Sequence, residues 1–539
     1  MNIRTFIALS VASFAALAAN AANPFLPLWE YIPDGEPHVF EDPDNPGKMR
    51  VYLYGSHDVN GRHYCGFDLV VWSAPVDELN NWRYDGVIFE SKSDANGESF
   101  LPNGGSDHLL APDVAMTVGK DGKKIYWLYP NIVGVRKSLV AKSDSPKGPF
   151  VPCNWSPDDP AKTVGCMGFD PAVLVDDDGR VYGFWGGGHS HAAELDPATM
   201  ATVKPGTKIL SDLVAGCGDE GIGGFYEASS IRKVKDKYAF IYCRWTKDGD
   251  FGMTNSNYTL AYAYSDRPLG PYTYGGTIID GRGREKRGDG SVVATAHPNG
   301  NTHGSICEIN GKWYVFYHRQ TGTNPFSRQA MVAPIEVSVE DKPGGRIVIS
   351  EAEYTSEGFE SGGLDPYERH VAGIASHYTG PEPAVTGTGK ERSKFVFPGP
   401  YTEPFRCKTG YSAVNPYDPS INCCRIVNCT DGSTVGYKYF DFSRTCGRCG
   451  LKLCVELELS GVGGRIDVWI GRPATEEGGV LIGSATLDAE AGVRTIEIPV
   501  VRLSEITGRK ALYFTFSSDV KGRSICSVES FAFSCSAML

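Results

Sequence analysis

The chain alternates between Gly- or Asp-rich turns and short strands dominated by apolar and aromatic residues. One version of this unit occurs five times: GKMRVYLYG around Tyr52, DGKKIYWLY around Tyr126, DDGRVYGFW around Tyr182, KDKYAFIYC around Tyr238 and NGKWYVFYH around Tyr314. Such a strand cannot bury its apolar face alone, so repeats at spacings of several tens of residues indicate stacked or radial units. We therefore expect an all-β chain in which residues 23–337 form a five-bladed β-propeller.

A second strand rhythm follows near the C-terminus. Seven alternating segments separated by short turns cover residues 436–442, 453–461, 464–471, 479–487, 493–500, 510–518 and 526–534. This spacing predicts a β-sandwich (jelly roll) domain over residues 423–539. Residues 338–422 are rich in Gly, Pro, Ser and Tyr and lack a clear period, so we expect an irregular connecting segment packed on its neighbours.

The N-terminus is typical of an export signal. Arg4 precedes an apolar run from Thr5 to Ala18, and small residues follow it. This pattern predicts a signal peptide over residues 1–22 and a secreted or periplasmic protein. A membrane anchor is the alternative, but the apolar core is short and no stop-transfer pattern follows it, so we expect no membrane span.

Composition limits the classes of molecule that the protein is expected to bind. The net charge is −12 and no run of Lys or Arg occurs, which argues against a nucleic-acid-binding surface and suits a neutral substrate. The 15 cysteines of an exported chain would ordinarily imply disulfides, but their odd number leaves at least one thiol over and the pairing stays open. We expect a monomer without an organic cofactor.

Three acidic residues share one local context in the repeats. Asp34 in YIPDGEPHVF, Asp170 in GFDPAVLVDDDG and Glu227 in FYEASSIRK each precede an apolar strand that leads to an aromatic signature. In equivalent blades they would face one another across the axis, where like charges raise one another's pKa; the alternative is three solvated turn residues. Glycoside hydrolysis uses such an arrangement, with one carboxylic acid on the leaving oxygen and one carboxylate activating water.

The ordered motifs of residues 23–337 resemble glycoside hydrolase family 43, whose members are five-bladed propellers. The matching segments are YIPDGEPHVF, YLYGSHD, LLAPDVAM, GFDPAVLVDDDG, FYEASSIRK and THGSICEINGKWYVFYH. The resemblance implies an inverting hydrolase with Asp34 as general base, Asp170 as pKa modulator and orienter, and Glu227 as general acid. It also implies action on arabinose- or xylose-containing plant polysaccharide.

The general base has a competitor in the sequence. The family's base usually precedes a proline, whereas here Gly35 follows Asp34 and the proline follows Glu36. Counting back from the strand selects Asp34, and aligning on the proline selects Glu36. We prefer Asp34 because strand register decides which side chain points inward.

Further site residues follow from the resemblance. His303 in NTHGS resembles the family's axial histidine and predicts a Ca²⁺ site at the propeller axis, with a purely structural histidine as the alternative. Other residues are expected to line the substrate pocket, with core packing or a turn as the alternative for each: His57, Asp113, Trp185, Arg244 and Trp245.

The C-terminal strands resemble a family 6 carbohydrate-binding module. GYKYFDF, GGRIDVWIG and KALYFTF…VESFAF carry this likeness, although the region holds a single tryptophan, Trp469. The first choice of activity is α-L-arabinofuranosidase, followed by β-xylosidase, endo-arabinanase and galactofuranosidase. A non-catalytic glycan-binding protein and a scaffold for protein partners are the alternatives from other classes.

Overall fold

A computed structural model of the chain describes residues 22–536, apart from 60–63, 92–107, 133–136, 160–161, 215–223, 298–299, 324–326, 383–384, 387–394, 405–423 and 445–449. The predicted signal peptide lies outside the described residues except for Ala22. Within those residues the helical elements are single 3₁₀ turns at Asp250–Gly252, Ala372–Ile374, Thr475–Glu477 and Leu503–Glu505. None of the described helices could span a membrane.

The first part of the chain forms five antiparallel sheets in chain order. The first two contain β1 (Glu36–Glu41), β2 (Met49–Tyr54), β3 (Asp68–Pro75) and β4 (Arg83–Glu90), then β5 (Asp113–Val118), β6 (Lys124–Tyr129), β7 (Ala141–Ser143) and β8 (Val151–Pro152). The third contains β9 (Ala172–Val175), β10 (Val181–Trp185), β11 (His191–Leu195) and β12 (Leu210–Ser211). The fourth contains β13 (Phe225–Val234), β14 (Lys237–Arg244), β15 (Thr259–Ser265) and β16 (Thr273–Asp280). A hairpin of β17 (Glu285–Lys286) and β18 (Val292–Val293) precedes the fifth sheet of β19 (Ser305–Ile309), β20 (Lys312–Arg319) and β21 (Gln329–Ile335).

The five repeated tyrosines occupy equivalent positions in their sheets. Each of the five lies on the second strand of its sheet, where the strand pairs on both sides and the residues are almost all buried. The first strands contact one another in the order β1, β5, β9, β13 and β19, and β19 contacts β1 again. The first strands therefore form a closed ring, and the residues at their starts converge.

The rest of the chain builds two further sheets. After the hairpin of β22 (Val337–Val339) and β23 (Ile347–Ile349) come β24 (His370–Val371), β25 (His377–Thr379), β26 (Val385–Thr386), β27 (Phe395–Val396), β28 (Tyr401–Pro404) and β29 (Cys424–Cys429). Then follow β30 (Thr434–Asp441), β31 (Gly450–Leu459), β32 (Gly464–Ile470), β33 (Val480–Leu487), β34 (Gly492–Pro499), β35 (Arg509–Ser517) and β36 (Cys526–Ser536). One sheet runs β28-β29-β36-β31-β34 with β24 on β36, and the other runs β25-β30-β35-β32-β33.

The segment 338–422 differs from the expected irregular connection. The short strands β24, β25 and β28 pair with β36, β30 and β29, so this segment completes both C-terminal sheets. Strands of two to four residues are too short to show an alternation in the sequence, and the Gly and Pro residues between them hide their rhythm. All seven strands predicted after residue 435 are present, with bounds that differ by a few residues.

Candidate active site

Three predicted site residues lie at matching points of the strand ring. Asp34, Asp170 and His303 each stand two residues before the first strand of their sheet, at β1, β9 and β19. Asp34 and Asp170 adopt left-handed backbone conformations with φ of 60° and 49°, which aspartate tolerates better than most residues. Glu227 lies inside β13, at a β-bulge between Phe225 and the regular pairing that resumes further along the strand. Bulges re-aim side chains, which is how this glutamate reaches the same end of the ring.

Asp34 is a buried carboxylate surrounded by donors. Ser56 Oγ donates to its Oδ2 at 2.6 Å, and Arg328 Nη1 donates to its Oδ1 at 3.0 Å. Its backbone N–H donates to His318 Nδ1 at 3.2 Å, and His303 Nδ1 lies 4.0 Å from Oδ1. Burial alone would raise the pKa of Asp34, but Arg328, His318, His303 and Ser56 together lower it below its ordinary value of 3.8. Asp34 is therefore ionised at neutral pH and in mild acid, down to its ordinary value of 3.8.

Asp170 and Glu227 form the other half of the site. Asp170 accepts hydrogen bonds from Asn131 Nδ2 at 2.9 Å and from the N–H of Ala228 at 3.0 Å. Because Ala228 directly follows Glu227, Asp170 fixes the backbone that carries the glutamate. His303 Nδ1 lies 3.7 Å from Asp170 Oδ2, so this histidine stands between Asp170 and Asp34.

Both of these carboxyl groups hold protons more strongly than usual. Burial, followed by the charge of Asp34, raises the pKa of Glu227 to about 7, although a hydrogen bond from Asn301 opposes the shift. Burial and the charges of Glu227 and Asp34 raise the pKa of Asp170 well above its ordinary value. Two interacting carboxyl groups titrate as a pair, so below about pH 7 the pair retains at least one proton.

Arg328 is the central cation of the site, and no motif in the sequence indicates it. It is fully buried, donates to Asp58 through Nε at 2.9 Å and through Nη2 at 2.9 Å, and also binds Asp34. Its guanidinium lies 4.0 Å from the ring centroid of Tyr64. An isolated arginine without a motif resembles any surface arginine in a sequence, so only its burial between two aspartates reveals its role.

Asn301 joins the two halves. Its side-chain oxygen accepts from Arg328 Nη1 at 3.4 Å, and its Nδ2 donates to Tyr64 Oη at 3.1 Å and lies 3.5 Å from Glu227 Oε1. Its backbone carbonyl accepts from His318 Nε2 at 2.9 Å. Burial lowers the pKa of His318 to about 3, so this imidazole is neutral, with its proton on Nε2 and its Nδ1 lone pair accepting from the N–H of Asp34.

Glu36, the competing candidate base, belongs to a separate cluster. Arg232 Nη2 donates to its Oε2 at 2.6 Å, and its carboxylate groups with His38 and Asp113 within 4.8 Å. Asp113 accepts from His38 Nε2 at 2.7 Å and from the N–H of Val173 at 2.7 Å. Asp34, and not Glu36, therefore lies with Asp170 and His303.

These geometries also bear on the predicted metal. Burial lowers the pKa of His303 to about 4, so the imidazole is neutral and could bind a cation. It lies beside Asp34, however, whose carboxylate already binds the guanidinium of Arg328. The cluster of Glu36, Asp113 and His38 offers carboxylate oxygens, which are the ligands that Ca²⁺ takes, but Arg232 already binds Glu36 and His38 already binds Asp113.

Three predicted pocket residues have partners elsewhere. Both ring nitrogens of His57 are engaged, Nε2 by Glu30 at 3.0 Å and Nδ1 by Asp68 at 3.2 Å, so neither is left for a sugar. Trp185 is buried among apolar side chains of the third sheet. Arg244 donates to Asp250 at 2.7 Å and is itself buried. This geometry does not support their predicted sugar contacts, which remain predictions.

Exposed aromatic rings lie next to the acids. Among the described large hydrophobic residues, the exposed aromatic ones are Phe169, 39% exposed, and Trp245, 43% exposed. Phe169 precedes Asp170, and the Trp245 ring lies 4.8 Å from that of Tyr226, which precedes Glu227. The loop after β10 also contacts Tyr226, because the N–H of Gly188 donates to the carbonyl of Tyr226 at 2.6 Å. We name Phe169, Tyr226 and Trp245 the aromatic rim.

Comparison with known proteins identifies the family. The model of glycosyl hydrolases family 43 matches residues 48–343. This chain belongs to that family. A xylosidase/arabinosidase of Thermoclostridium stercorarium is 35% identical over 436 residues, covering 78% of this chain and 82% of that protein. An arabinoxylan arabinofuranohydrolase of Paenibacillus polymyxa is 26% identical, covering 92% of this chain and 70% of that protein.

Among solved structures, this family 43 protein is similar to an arabinoxylan arabinofuranohydrolase of the same family from Bacillus subtilis, determined in complex with cellotetraose. The two chains are 21% identical, with a TM-score of 0.44, over 97% of this chain and 99% of that one. As a member of family 43, the protein is an all-β glycoside hydrolase. The predicted enzyme class is confirmed.

Proposed function

We propose that this family 43 enzyme hydrolyses arabinose- or xylose-containing plant polysaccharide by inversion, with α-L-arabinofuranosidase as its first activity and β-xylosidase as the second. One observation carries the proposal. Two buried carboxyl groups in one hydrogen-bonded site have opposite pKa shifts, lowered at Asp34 and raised to about 7 at Glu227. A pair of titratable groups pushed apart in this way divides base from acid.

The roles follow from these protonation states. Ionised Asp34 accepts a proton from a water molecule as the water oxygen bonds to the anomeric carbon. Protonated Glu227 donates its proton to the glycosidic oxygen as the bond from that oxygen to the anomeric carbon breaks. Asp170 keeps a proton within its pair with Glu227 and holds the N–H of Ala228, so it orients the acid. Exchange with water then restores both groups.

The choice of substrate is supported by the relatives and by the rim. The proteins from Thermoclostridium stercorarium and Paenibacillus polymyxa carry names that refer to xylose, arabinose or arabinoxylan. The aromatic rim offers flat apolar faces next to the acids, which suit sugar rings. Endo-arabinanase and galactofuranosidase follow as weaker candidates, because the loops around such a pocket determine the sugar.

We also propose the finer architecture. The closed ring of first strands supports a five-bladed β-propeller over residues 23–337, and the two later sheets support a β-sandwich over residues 423–539 that resembles a family 6 carbohydrate-binding module. Trp469 lies on a strand of that sandwich, half-buried, with Nε1 donating to Thr515 at 3.0 Å. The signal-like N-terminus supports export, and we propose a monomer.

Calcium is part of the same proposal. His303 is the residue predicted to contact it at the propeller axis, and the carboxylates of Glu36 and Asp113, on the neighbouring first strands β1 and β5, would supply further oxygen ligands. A bound cation would neutralise charge beneath the catalytic carboxylates. We expect added Ca²⁺ to raise the Tm and EDTA to lower it, and Asp113→Asn to abolish this response. The same Tm with Ca²⁺ and with EDTA would contradict the metal site.

The activity is tested on a panel of substrates. Wild-type enzyme should release reducing sugar from arabinoxylan or arabinan and cleave an aryl α-L-arabinofuranoside. Asp34→Asn and Glu227→Gln should each lower kcat by about 10³-fold or more, because each removes one proton transfer. Full activity in both variants would refute the assignment of roles. Binding of the polysaccharide without any hydrolysis by wild type would identify a glycan-binding protein instead.

A further inference from the structure

A cavity of about 450 Å³ lies between the strand ring and the C-terminal sheets. One wall consists of Met253 and Thr254 from the β14–β15 connection and of Val293 and Ala294 from the segment after β16. The opposite wall consists of residues after β25 and before β28, including Phe397. Its size is within the range of small-molecule sites, which often form between domains.

The first wall of the cavity is built from segments that leave the fourth sheet at the end where the acids lie. Phe225 at the start of β13 pairs with Arg244 at the end of β14, which pairs with Thr259 at the start of β15. Both chain segments on the first wall therefore leave the fourth sheet at the end that carries Glu227. The first begins with Trp245 of the aromatic rim. The second continues to Asn301, whose Nδ2 lies 3.5 Å from Glu227.

Contacts between the two regions of the protein hold the walls in place. Tyr378 N–H donates to the carbonyl of Thr295 at 2.6 Å, and the rings of His297 and Phe397 are 5.0 Å apart. The hairpin of β17 and β18 is tied to the C-terminal sheets through Glu285, which lies 3.3 Å from His377 Nδ1 and also binds Lys438. The cavity is thus largely formed in advance, which lowers the entropic cost of binding.

The lining suits a neutral sugar chain. It combines the apolar faces of Val293, Phe397 and Pro398 with hydroxyl groups from Thr254 and Thr379. Among the described lining residues the charged ones are Arg287 and Glu382, whose charges cancel. Sugar rings need both kinds of surface, apolar for their C–H faces and polar for their hydroxyls.

From the position, the preformed walls and the lining, we propose that this junction cavity binds main-chain sugar units of the polysaccharide, next to the unit that is cleaved. The inference rests on the proposed function, because it extends the same substrate beyond the catalytic site. Contacts to remote parts of a substrate increase kcat/KM on the polymer and are irrelevant to a small aryl glycoside.

The test uses a substitution whose side chain fills the cavity. Ala294 is half-buried on the wall, and Ala294→Trp would occupy the space that a sugar needs. The matched control is Ala198→Trp, at an exposed turn of the third sheet. We compare the ratio of kcat/KM on arabinoxylan to kcat/KM on the aryl arabinofuranoside. Ala294→Trp should lower this ratio about tenfold, and Ala198→Trp should leave it at the wild-type value.

A second measurement tests the same cavity by binding instead of turnover, and with a different variant. In the Glu227→Gln background, calorimetry with arabinoxylan oligosaccharides should show about tenfold weaker binding when Phe397→Ala is added. An unchanged activity ratio in folded Ala294→Trp, or unchanged binding in the Phe397→Ala variant, would overturn the junction site and leave the proposed function standing. A wild-type enzyme that cleaves no glycoside would overturn the proposed function, and the inference with it.

Discussion

At the scale of single residues, the site depends on one buried cation that two aspartates share. Arg328 binds Asp58 and Asp34 at once, so it lowers the pKa of Asp34. Among the described residues, no comparable cation binds Asp170 or Glu227. The same desolvation that raises the pKa of Glu227 is outweighed at Asp34 by the combined effect of Arg328, which contributes most, with His318, His303 and Ser56. Unequal pairing, and not a difference in burial, separates the base from the acid.

A pH profile tests this division. The base must be ionised and the acid protonated, so kcat/KM should stay high from below the ordinary Asp value of 3.8 up to about pH 7 and fall above it. Asn301→Ala removes the hydrogen bond that lowers the pKa of Glu227, so the alkaline limb should move to higher pH. A limb that stays in place, measured with the aryl substrate, would contradict this role of Asn301.

The competition between Asp34 and Glu36 also belongs to this scale. The two acids lie two residues apart in the sequence, and only the strand register favours the first. The structure separates them because Arg232 reaches across from β13 to Glu36, while Arg328 reaches Asp34. Neither arginine is near these acids in the sequence, so no local pattern could have assigned the partners.

At the scale of elements, the second strand of each sheet was visible in the sequence and the shortest strands were not. The aromatic signatures mark strands that pair on both sides and bury most of their residues. Strands β24, β25 and β28 hold two to four residues each and show no period. They form because neighbouring strands offer unpaired edges, which is a tertiary cause.

Two adjacent strands suggest a covalent link. Cys429 on β29 and Cys526 on β36 are register partners, and both are buried thiols. Directly opposed residues in an antiparallel pair have Cα atoms about 4.5–5.5 Å apart, which is within the range of a disulfide. Burial and the neighbouring Cys526 raise the pKa of Cys429 well above its usual value, so the thiol reacts slowly once folded.

We expect oxidised protein to carry a Cys429–Cys526 disulfide, detected by peptide mass mapping without reduction. Replacing both cysteines by serine should lower the free energy of unfolding of the oxidised protein by about 2–4 kcal/mol. Cys454→Ser, at a half-buried position facing Ser534, is the control and should have little effect. Two free thiols in protein folded under oxidising conditions would contradict the expectation.

At the scale of the whole molecule, one apolar core joins the strand ring to the C-terminal sheets. The same continuous cluster contains Ile241 and Tyr317 from the fourth and fifth sheets and Val435 and Phe514 from the last part of the chain. The fully buried Arg319 crosses the junction, donating to the carbonyl of Ala375 at 3.0 Å and to that of Gly373. A shared core couples the unfolding of its parts.

Calorimetry should therefore show a single unfolding transition for the full chain, with fluorescence and circular dichroism giving the same Tm. Arg319→Met removes the donor from the backbone carbonyls of Gly373 and Ala375 and from the side-chain oxygen of Gln329, and it should lower stability by roughly 3 kcal/mol. In this variant the single unfolding transition should shift to a lower temperature without splitting. Two resolved transitions, in wild type or in this variant, would mean that the two regions unfold independently.

The sequence by itself determined the repeat of aromatic strands, the seven C-terminal strands and the acids near the starts of the inner strands. Those features are local, because a strand period and a turn residue are set by neighbouring positions. The tertiary structure decided which acid is ionised, which groups surround Arg328 and Asn301, and that a cavity lies between the two regions. Burial and charge pairing depend on residues far apart in the chain, and no local pattern records which of them will meet.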